Sequence, residues 1–384
     1  MSGHNYTIAT IAGDGIGPEV VAQARKAVEA AGERFGFSAK WRDYPFGGLH
    51  YLKTGEVLPE AALGEIAECD ALLLGAIGHP EVKPGVLERG ILLDLRFRFD
   101  QYINLRPART FPGVATPVPG RSMDTVVVRE NTEDFYMGIG CRGDGPGLQC
   151  SFPVERGLYH AEGSLGLTFD RPFSSAAQVG LATEPAVRRA TAWACDRAKQ
   201  RGESTVTLAS KANALPILYG FWEEIASGEA SQRGVTLNVV NVDALCYHLA
   251  RDPGRYGVIL TPNMFGDIVS DLLAGLAGGL GTAAGANIGD GLSMFEPVHG
   301  SAPDIAGTGA SNPVAAVLSA GLMLEHLGES EAAAALETAV SGYLSHSSRE
   351  DLPVELGGRA VTGKAGDTIA LMIQDPDHQG RETP

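Results

Sequence analysis

Two aspartates in the stretch FGDIVSD have a spacing that suggests metal chemistry. Asp267 and Asp271 are four residues apart, so on a helix both carboxylates project from one face. Like charges at that spacing repel each other, and a hard divalent cation such as Mg²⁺ or Mn²⁺ relieves the repulsion because it prefers oxygen ligands. The alternative is an ordinary exposed helix face. Asp243, which follows an apolar run, is a third candidate carboxylate, although by itself it would be interpreted as a helix N-cap.

Three arginines form a second set of candidate residues. Arg106 lies in INLRPAR and Arg129 in VVVRENTEDFY, each at or beyond a β-prone run, and Arg96 lies in the helical stretch before them. Guanidinium groups bind carboxylates in a bidentate manner, so three converging arginines would suit a substrate with two or more carboxylates. For any single arginine, a surface salt bridge is the alternative.

A tyrosine and a lysine could transfer protons. Lys211, in LASKANALP, directly follows a β-prone run, a position at which burial can lower the pKa of an ammonium group until it acts as a base. Tyr136 could deliver a proton to a carbanion or an enol. A solvated lysine and a core tyrosine are the structural alternatives.

The composition limits the class of protein. The chain has 384 residues, of which 44% are hydrophobic, and this is typical of a globular protein with a substantial core. Its formal net charge of -16 argues against a nucleic-acid-binding surface, because phosphate contacts need clustered Lys and Arg. The five cysteines include no C-x-x-C pair, and no run of about eighteen apolar residues could span a bilayer. We therefore expect a soluble, cytoplasmic protein with reduced thiols and no signal peptide, and neither a nucleic acid nor a membrane as partner.

The elements that must position these residues alternate between strands and helices. The sequence predicts β-prone runs at 8–11, 71–78, 124–136, 204–210, 236–245 and 256–263, and helices at 18–35, about 92–100, 184–201, up to 222, about 314–327 and 331–344. A glycine-rich segment at 138–166 could be an arm or a hairpin, and a polar tail from about Asp375 is expected to fray. The alternation predicts an α/β fold with a largely parallel sheet covered by helices, and the polar strand ends are where such sheets place ligands.

The stretch IATIAGDGIGPEV, residues 8–20, raises the question of a Rossmann dinucleotide site. A β-prone run precedes the glycines and a helical stretch follows them, but Gly13, Gly15 and Gly17 alternate, whereas the fingerprint is G-x-G-x-x-G. Pro18 follows at once, in the position that starts a helix. By itself the pattern favours a structural turn between a strand and a helix.

Six motifs together resemble the β-decarboxylating dehydrogenase family, which includes 3-isopropylmalate, isocitrate, homoisocitrate, tartrate and D-malate dehydrogenases. In chain order they are GDGIGPEV, INLRPAR, VVVRENTEDFY, SKANAL, NMFGDIVSD and FEPVHGSAPDIAGTGASNP. The resemblance extends from about Ile8 to about Ile369. It implies a two-domain fold with a mixed, largely parallel sheet shared across a central cleft. It also implies that the glycine turn is not a pyrophosphate loop and that the cofactor lies in a separate, non-Rossmann groove built by the HGSAPD loop.

The resemblance also implies roles for individual residues. Arg96, Arg106 and Arg129 would hold the carboxylates of a malate moiety. Asp267 and Asp271 would bind Mg²⁺ or Mn²⁺ together with Asp243 of the other subunit of a homodimer. Lys211 of that other subunit would help to remove the 2-hydroxyl proton, and Tyr136 would protonate the enol after decarboxylation. The expected cofactor-binding residues are Glu296, His299, Gly300, Ser301, Ala302, Asp304, Ile305 and Asn312.

The same resemblance predicts NAD as the cofactor. Asp304 and Ile305 stand where NAD-dependent members carry an acid and an apolar residue, and an aspartate there accepts hydrogen bonds from the ribose 2′-hydroxyl and repels a 2′-phosphate. K⁺ is a further candidate ion. The active sites are expected to be shared within the homodimer.

Three substrate hypotheses remain open at the sequence level. Leu92 and Leu93 match the apolar pocket of isopropylmalate enzymes, which favours a 3-alkylmalate. The residues at 96–114 and 126–136 resemble tartrate and D-malate dehydrogenases most, which favours an unsubstituted or hydroxylated malate such as D-malate or tartrate. Ser210 also departs from the isopropylmalate pattern, which has Asp there. Arg89 stands where isopropylmalate enzymes carry Glu. It could pair with an added carboxylate or phosphonate on a 3-substituted malate, as in specialised metabolism, or simply point to solvent.

Two further expectations concern organisation and activity. Residues 1–107 and 276–384 are expected to form a large, cofactor-binding domain, and residues 108–275 a small domain with a dimer arm at about 138–166 and the dimer interface. A catalytically silent regulatory subunit is the alternative from another functional class. It is disfavoured because every motif position carries a chemically competent residue.

Overall fold

The structure is a computed structural model that describes residues 3–376. Its strands are β1 (Asn5–Gly13), β2 (Ser38–Tyr44), β3 (Ala71–Ala76), β4 (Ile103–Arg109), β5 (Asp124–Glu130), β6 (Gly140–Arg156), β7 (Tyr159–Gln178), β8 (Thr205–Ser210), β9 (Thr236–Asn241), β10 (Val258–Thr261), β11 (Ala284–Ile288) and β12 (Met294–Pro297). Its helices are α1 (Gly17–Phe35), α2 (Gly48–Thr54), α3 (Glu60–Ala67), α4 (Asp94–Arg98), α5 (Glu184–Gln200), α6 (Pro216–Gln232), α7 (Val242–Arg251), α8 (Asn263–Ala277), α9 (Val314–His326), α10 (Ser330–His346) and α11 (Thr362–Gln374).

One large mixed sheet organises the described part of the chain. Its ten strands have the order β2-β1-β3-β12-β11-β4-β5-β10-β8-β9. Six of the nine neighbouring pairs are parallel, and the three antiparallel pairs, which involve β12, β11, β4 and β5, lie together at the centre. The predicted α/β fold with a largely parallel sheet is therefore confirmed. Strands β6 and β7 form a separate antiparallel hairpin, which we call the arm.

The apolar sequence of the strands follows from their coverage on both faces. The stretch ALLLGA of β3 is buried along its whole length, as expected for a parallel strand packed between two layers. A continuous core joins side chains of α1, α5, α6, α9, α10 and α11 to the sheet, and two smaller clusters flank it. Among the residues that the structure describes, no helix is long and apolar enough to cross a membrane.

The glycine turn after β1 is a structural junction. Gly15 adopts φ +57°, in the left-handed region that favours glycine, and Pro18 lies in the first turn of α1. The buried Asp14 carboxylate accepts hydrogen bonds from the backbone N–H groups of Gly48, at 2.7 Å, and Gly78, at 3.0 Å. The turn therefore ties the end of β1 to the start of α2 and to the segment after β3.

Three local expectations differ from the structure, and a fourth falls mostly outside the described residues. The predicted helix at 92–100 is a π-helical turn over Glu88–Leu93 followed by the short α4. The strand predicted over 124–136 ends at Glu130, because the next four residues turn away to form buried side-chain contacts. Asp243 is not an N-cap, because it lies inside α7 and Asn241 precedes that helix. The polar tail predicted from Asp375 lies, apart from its first two residues, outside the described residues.

The arm is longer than predicted, and the predicted domain boundaries fall inside secondary-structure elements. The arm covers 140–178 and thus extends beyond the predicted 138–166. The boundary at 107/108 falls within β4, and the boundary at 275/276 falls in the last turn of α8. Because β4 pairs with both β11 and β5, it joins the two halves of the sheet, and the division into two domains stays a prediction.

Candidate active site

Asp267 lies at the centre of the candidate site. It projects from the second turn of α8, and Asp271 follows one turn later on the same face. Arg129, at the end of β5, donates from Nη1 to Asp267 Oδ1 at 2.5 Å, and Tyr136 donates its hydroxyl to Asp267 Oδ2 at 2.5 Å. The guanidinium carbon of Arg129 lies 5.1 Å from the centre of the Tyr136 ring. The structure therefore brings together three of the residues predicted from separate motifs.

The electrostatics at this point favour an ionised Asp267 beside a protonated Tyr136. Burial by itself would raise the pKa of Asp267, but Arg129, the Tyr136 hydroxyl and Arg106 together lower it. Burial, and then the hydrogen bond to Asp267, raise the pKa of Tyr136 to about 12. Burial also raises the pKa of Asp271, which Arg106 opposes. Tyr136 can therefore hold its proton at neutral pH and release it only to a strongly basic group.

The three predicted arginines line one side of this site. Asn104 of β4 pairs with Arg129 of β5, so Arg106, two residues further along β4, projects from the same face as Arg129. Arg106 Nη1 lies 3.7 Å from Asp271 Oδ1, and Arg96 lies near the C-terminus of α4. All three side chains are buried. Burial lowers the pKa of Arg106, and it lowers the pKa of Arg129 to about 10, so Arg129 remains cationic at neutral pH.

A chain of buried amide side chains links Arg96 to Arg106. Arg106 Nε donates to Asn104 Oδ1 at 2.7 Å, and Asn104 Nδ2 donates to Asn287 Oδ1 at 2.7 Å. Asn287 Nδ2 donates to Glu296 Oε1 at 2.8 Å, and the same oxygen accepts a hydrogen bond from Arg96 Nη2 at 3.2 Å. Each of the two arginines is therefore held by hydrogen bonds to side chains that are themselves hydrogen bonded. Such support keeps a binding site in its working geometry before the ligand arrives. Glu296, predicted as a cofactor-binding residue, lies in this chain of contacts.

Behind Arg129 and Tyr136, the residues 130–134 form a buried acidic segment. Burial, and then the nearby Glu130, raise the pKa of Glu133 to about 7. Asp134 has φ +64°, which is rare for a non-glycine residue, and its Oδ2 accepts a hydrogen bond from the backbone N–H of Met264 at 2.9 Å. Asn263 accepts a hydrogen bond from Arg129 Nε at 2.8 Å. These contacts attach the first turn of α8 to the segment that carries Tyr136.

Lys211 and Asp243 contact each other, and neither makes a hydrogen bond or ion pair with the Asp267 side chain. Lys211 Nζ donates to Asp243 Oδ1 at 2.8 Å, and the two side chains are 26% and 67% exposed. The hydrogen bond from Lys211 lowers the pKa of Asp243. Within residues 3–376 of this single chain, no three His, Cys, Asp or Glu side chains are grouped so that they could hold a metal ion. In one chain, therefore, Asp267 and Asp271 form an incomplete set of oxygen ligands.

The HGSAPD loop lies against the glycine turn. The backbone N–H of Ile16 donates to Ser301 O at 2.9 Å, and a Cβ on Gly15 would approach that oxygen to 1.9 Å. His299 Nδ1 donates to Gly300 O at 3.0 Å, while its Nε2 is buried with no hydrogen-bond partner among the described residues. Burial lowers the pKa of His299, so the ring is neutral at neutral pH. An orphaned buried nitrogen in this loop fits a polar ligand.

The remaining predicted residues are divided between exposed and structural positions. Asp304 and Ile305 are exposed in a short 3₁₀ turn that follows Ala302. Asn312 is buried, donates to Glu355 Oε2 at 3.0 Å and accepts from the Val314 N–H, the first of α9, at 3.1 Å. The cofactor-binding roles predicted for these residues stay predictions.

The predicted substrate-pocket residues lie on the π-helical turn. Leu92 and Leu93 are half-buried, and Arg89 is exposed. π-helical turns occur often at functional sites, because the extra residue per turn re-aims side chains. The turn leads directly into α4 and thus to Arg96.

Asn104, Asn263 and Asn287 contact the predicted site residues but belong to none of the predicted sets. Asn104 and Asn287 interrupt apolar strands, in INLRPAR and AGANI, and a buried polar residue in such a run must have partners. That interruption was the available signal. Asn263 stands at the start of α8, where a cap residue is an equally good interpretation.

Comparison with known proteins assigns the chain to a family. The profile of the isocitrate/isopropylmalate dehydrogenase family matches residues 7–369. The chain is 40% identical over 382 residues to 3-isopropylmalate dehydrogenase of Thermobifida fusca, which covers 98% of this chain and 99% of that protein. The solved isocitrate dehydrogenase of Methylococcus capsulatus superposes with a TM-score of 0.81 at 32% identity, covering 96% of this chain and 100% of that chain.

A second solved structure, the β-decarboxylating dehydrogenase of Thermococcus kodakarensis in its apo form, superposes with a TM-score of 0.75 at 34% identity and covers 99% of both chains. The family profile spans all of the motifs that carry the arginines, the aspartates and the HGSAPD loop. The chain therefore belongs to the isocitrate/isopropylmalate dehydrogenase family and is an oxidoreductase of the decarboxylating type, which oxidises and decarboxylates a hydroxy acid.

Proposed function

We propose that this protein catalyses the NAD- and divalent-metal-dependent oxidative decarboxylation of a (2R)-malate-type 2-hydroxy diacid to a 2-oxo acid and CO₂. The observation that carries the proposal is the shared use of Asp267, which accepts hydrogen bonds from Arg129 and from Tyr136 at 2.5 Å each. Three functions therefore meet in one small site. Arg129 can bind a substrate carboxylate, Asp267 can bind a metal ion and Tyr136 can donate a proton.

The donor set fits a hard divalent cation. Asp267 and Asp271 supply carboxylate oxygens from one helix face, and Mg²⁺ and Mn²⁺ prefer such ligands. Asp243 of the partner subunit would complete the set in a homodimer. Arg96, Arg106 and Arg129 would hold the two carboxylates of the malate moiety, and the network through Asn104, Asn287 and Glu296 would keep Arg96 and Arg106 in place.

The residues would then divide the proton transfers between them. When bound, NAD accepts the hydride from C2 and the cation polarises the C2 oxygen. Lys211 of the partner subunit would take the 2-hydroxyl proton. Tyr136, whose pKa is raised to about 12, would keep its proton until a basic carbon forms at C3 and would then deliver it there.

NAD rather than NADP is supported by the exposed Asp304. A carboxylate accepts hydrogen bonds from a ribose 2′-hydroxyl and repels a 2′-phosphate. The test is the ratio of kcat/KM for NAD to that for NADP in Asp304→Lys, with Glu56→Lys as a control that changes the net charge by the same amount at another exposed acid. We expect the ratio to fall by roughly ten-fold or more in Asp304→Lys only. The variant loses the carboxylate that binds the ribose 2′-hydroxyl of NAD and gains an ammonium that attracts the 2′-phosphate of NADP, and the two effects together exceed about 1.4 kcal/mol. An unchanged ratio in Asp304→Lys would contradict this role.

The substituent on C3 separates three candidate substrates. The name of the Thermobifida relative and the half-buried Leu92 and Leu93 favour a 3-alkylmalate such as 3-isopropylmalate. D-malate and tartrate remain the second candidate. The exposed Arg89, whose guanidinium makes no hydrogen bond or ion pair with another described residue, supports the third, a malate with an added carboxylate or phosphonate.

The deciding experiment measures initial rates of NAD reduction with Mn²⁺ and K⁺ present. D-malate, tartrate, 3-isopropylmalate, isocitrate and homoisocitrate are compared in one assay, for the wild type and for Arg89→Ala. A dominant rate with 3-isopropylmalate that Arg89→Ala leaves unchanged would support the first candidate. A loss confined to a tricarboxylate would support the third, and no NAD reduction with any hydroxy diacid would contradict the proposed function.

A homodimer with shared sites is the proposed assembly. The large domain would comprise 1–107 and 276–384, and the small domain 108–275 would carry the arm and the interface. The test mixes two inactive proteins, Lys211→Ala and Asp267→Ala. If Lys211 serves the neighbouring site, then up to about a quarter of the sites in a fully exchanged mixture combine two intact contributions, and NAD reduction returns. Without any recovery after verified subunit exchange, each chain would have to form its own site.

A further inference from the structure

The arm is folded sharply on itself at one step of β6. Gly140–Gly145 pair with residues 178–173 of β7, and the pairing resumes at Gly147 with Thr168. One residue of β6, Pro146, therefore stands opposite four residues of β7, at 169–172. Between these two paired positions β7 has four residues and β6 only one. The hairpin must therefore bend toward β6, its shorter strand. β6 consequently lies on the inside of the bend.

The inner face of the bend brings the two halves of β6 together. Before the bend the odd-numbered residues 141–147 are the less exposed ones, and after it the even-numbered residues 148–154 are. A Cβ on Gly143 would lie 3.4 Å from Leu148 Cδ1, so these two positions face each other across the bend. Because side chains on one face of a strand recur every two residues, the next facing positions are Cys141 and Cys150.

The two thiols at these positions are neighbours. The nearby Cys150 thiol raises the pKa of Cys141. Both side chains are half-buried, and neither is in a disulfide in this structure. Cys69 and Cys195 are buried, and Cys246 is half-buried without another cysteine beside it among the described residues. Cys141 and Cys150 therefore differ from the other three cysteines, because each lies beside another cysteine and is partly exposed.

We propose that Cys141 and Cys150 are a redox-active pair that a peroxide oxidises to an intramolecular disulfide, which closes the bend of the arm covalently. The inference does not depend on the proposed function. In the first step one thiolate attacks a peroxide oxygen, which forms a sulfenic acid and releases water when hydrogen peroxide is the oxidant. In the second step the other thiolate attacks the sulfenic sulfur and displaces hydroxide, which leaves as water with the second thiol proton.

The balance is two thiols and one hydrogen peroxide to one disulfide and two waters. The thiols lose two electrons in total, and the peroxide takes both. A dithiol reductant reverses the reaction by thiol–disulfide exchange. Because the linked residues lie on the two halves of one strand, the disulfide would fix the angle of the bend and hence the shape of the surface that the arm presents.

The test uses the purified full-length chain under native conditions. Wild type, Cys141→Ser, Cys150→Ser and the control Cys246→Ser are each exposed to hydrogen peroxide at stoichiometric concentration, alkylated, digested without reductant and mapped by mass spectrometry. In the wild type we expect loss of two of the five alkylatable thiols, a peptide that links Cys141 to Cys150 within one chain, and recovery of both thiols with dithiothreitol. The control should give the same linked peptide.

The single variants distinguish this pairing from general oxidation. In Cys141→Ser and in Cys150→Ser, the remaining thiol should stop at a sulfenic acid that dimedone traps. The proposal is overturned if the wild type forms no Cys141–Cys150 peptide at peroxide concentrations that oxidise other thiols. It is equally overturned if the linked peptide joins two chains, or if the single variants lose the same number of thiols to disulfides as the wild type.

Discussion

The Tyr136 hydroxyl and the Asp267 carboxylate are joined by a 2.5 Å hydrogen bond, and they come from segments 131 positions apart in the chain. Arg129 occupies the other oxygen of the same carboxylate. The proposed proton donor is therefore aimed by the same group that is proposed to hold the metal, and any change at Asp267 affects both. This coupling explains why burial and the nearby carboxylate raise the pKa of Tyr136 together.

Replacing Tyr136 with Phe removes the proton donor but leaves the ring. We expect kcat for oxidative decarboxylation to fall by about 10²–10⁴-fold, as is typical for loss of a positioned acid, while KM changes by no more than about three-fold because the arginines are untouched. The matched control is Tyr102→Phe, which removes a 3.1 Å tyrosine–aspartate hydrogen bond to Asp290. Initial-rate kinetics of both variants with the preferred substrate test the prediction, and a normal kcat in Tyr136→Phe would exclude Tyr136 as the donor.

Replacing Asn287 with Ala breaks the amide chain between the clamp arginines. The side chain makes hydrogen bonds to Asn104, Asn131 and Glu296, and it is fully buried. We expect the free energy of unfolding to drop by about 2–5 kcal/mol, because each buried group left unpaired costs about 1–3 kcal/mol. The substrate KM should also rise, since Arg96 and Arg106 lose their common support.

Urea unfolding and substrate kinetics together check the Asn287 prediction. Asn238→Ala, at an exposed position on β9, is the control and should stay within about 0.5 kcal/mol of the wild type. A loss of stability without any change in KM would show that the amide chain supports the fold but does not position the arginines.

Replacing Gly15 with Ala should displace the HGSAPD loop. The new Cβ would lie 1.9 Å from the backbone oxygen of Ser301, at a residue whose φ is +57°. Because the obstacle is backbone, the loop must move, and we expect KM for NAD to rise several-fold more than KM for the substrate, with a lower Tm. Gly64→Ala in α3, where nothing lies within 4 Å, is the control and should be neutral or stabilising. Equal effects on both KM values would argue against a link between this turn and the cofactor groove.

The buried Glu133 should make stability depend on pH in an unusual direction. Burial and Glu130 raise its pKa to about 7, so the folded state holds a proton that the unfolded chain releases above its ordinary value of about 4.3. The native state then binds more protons than the unfolded state between these values, and the free energy of unfolding should fall as the pH rises from about 5 to about 7.

The variant Glu133→Gln cannot titrate and should have a weaker pH dependence over this interval. Its overall stability should be lower, because Glu133 accepts hydrogen bonds from both the N–H and the hydroxyl of Thr183 and an amide nitrogen cannot accept one. Urea unfolding at pH 5, 6 and 7 measures the slope. Glu162→Gln, at an exposed position on the arm, should keep the wild-type slope. An identical slope in Glu133→Gln would mean that another group is responsible.

Local patterns in the sequence were enough to predict the α/β class, the largely parallel sheet and the common face that Asp267 and Asp271 would share on a helix. These properties depend on residues a few positions apart: strand alternation, Pro18 at a helix start, and a four-residue spacing on one helix face. The same reasoning misjudged the π-helical turn at Glu88–Leu93 and the length of the arm, because the end of an element depends on what it packs against.

The candidate site itself depended on tertiary structure. The antiparallel pairing of β4 with β5 puts Arg106 and Arg129 on one face, and an antiparallel partner cannot be chosen from the sequence of one strand alone. Arg96 meets Glu296, 200 positions later in the chain, because β12 lies between β3 and β11 in the sheet. The sequence by itself determined which chemical groups the protein carries and on which local elements. Only the strand order decided which of those groups meet, because it is set by packing over the whole chain.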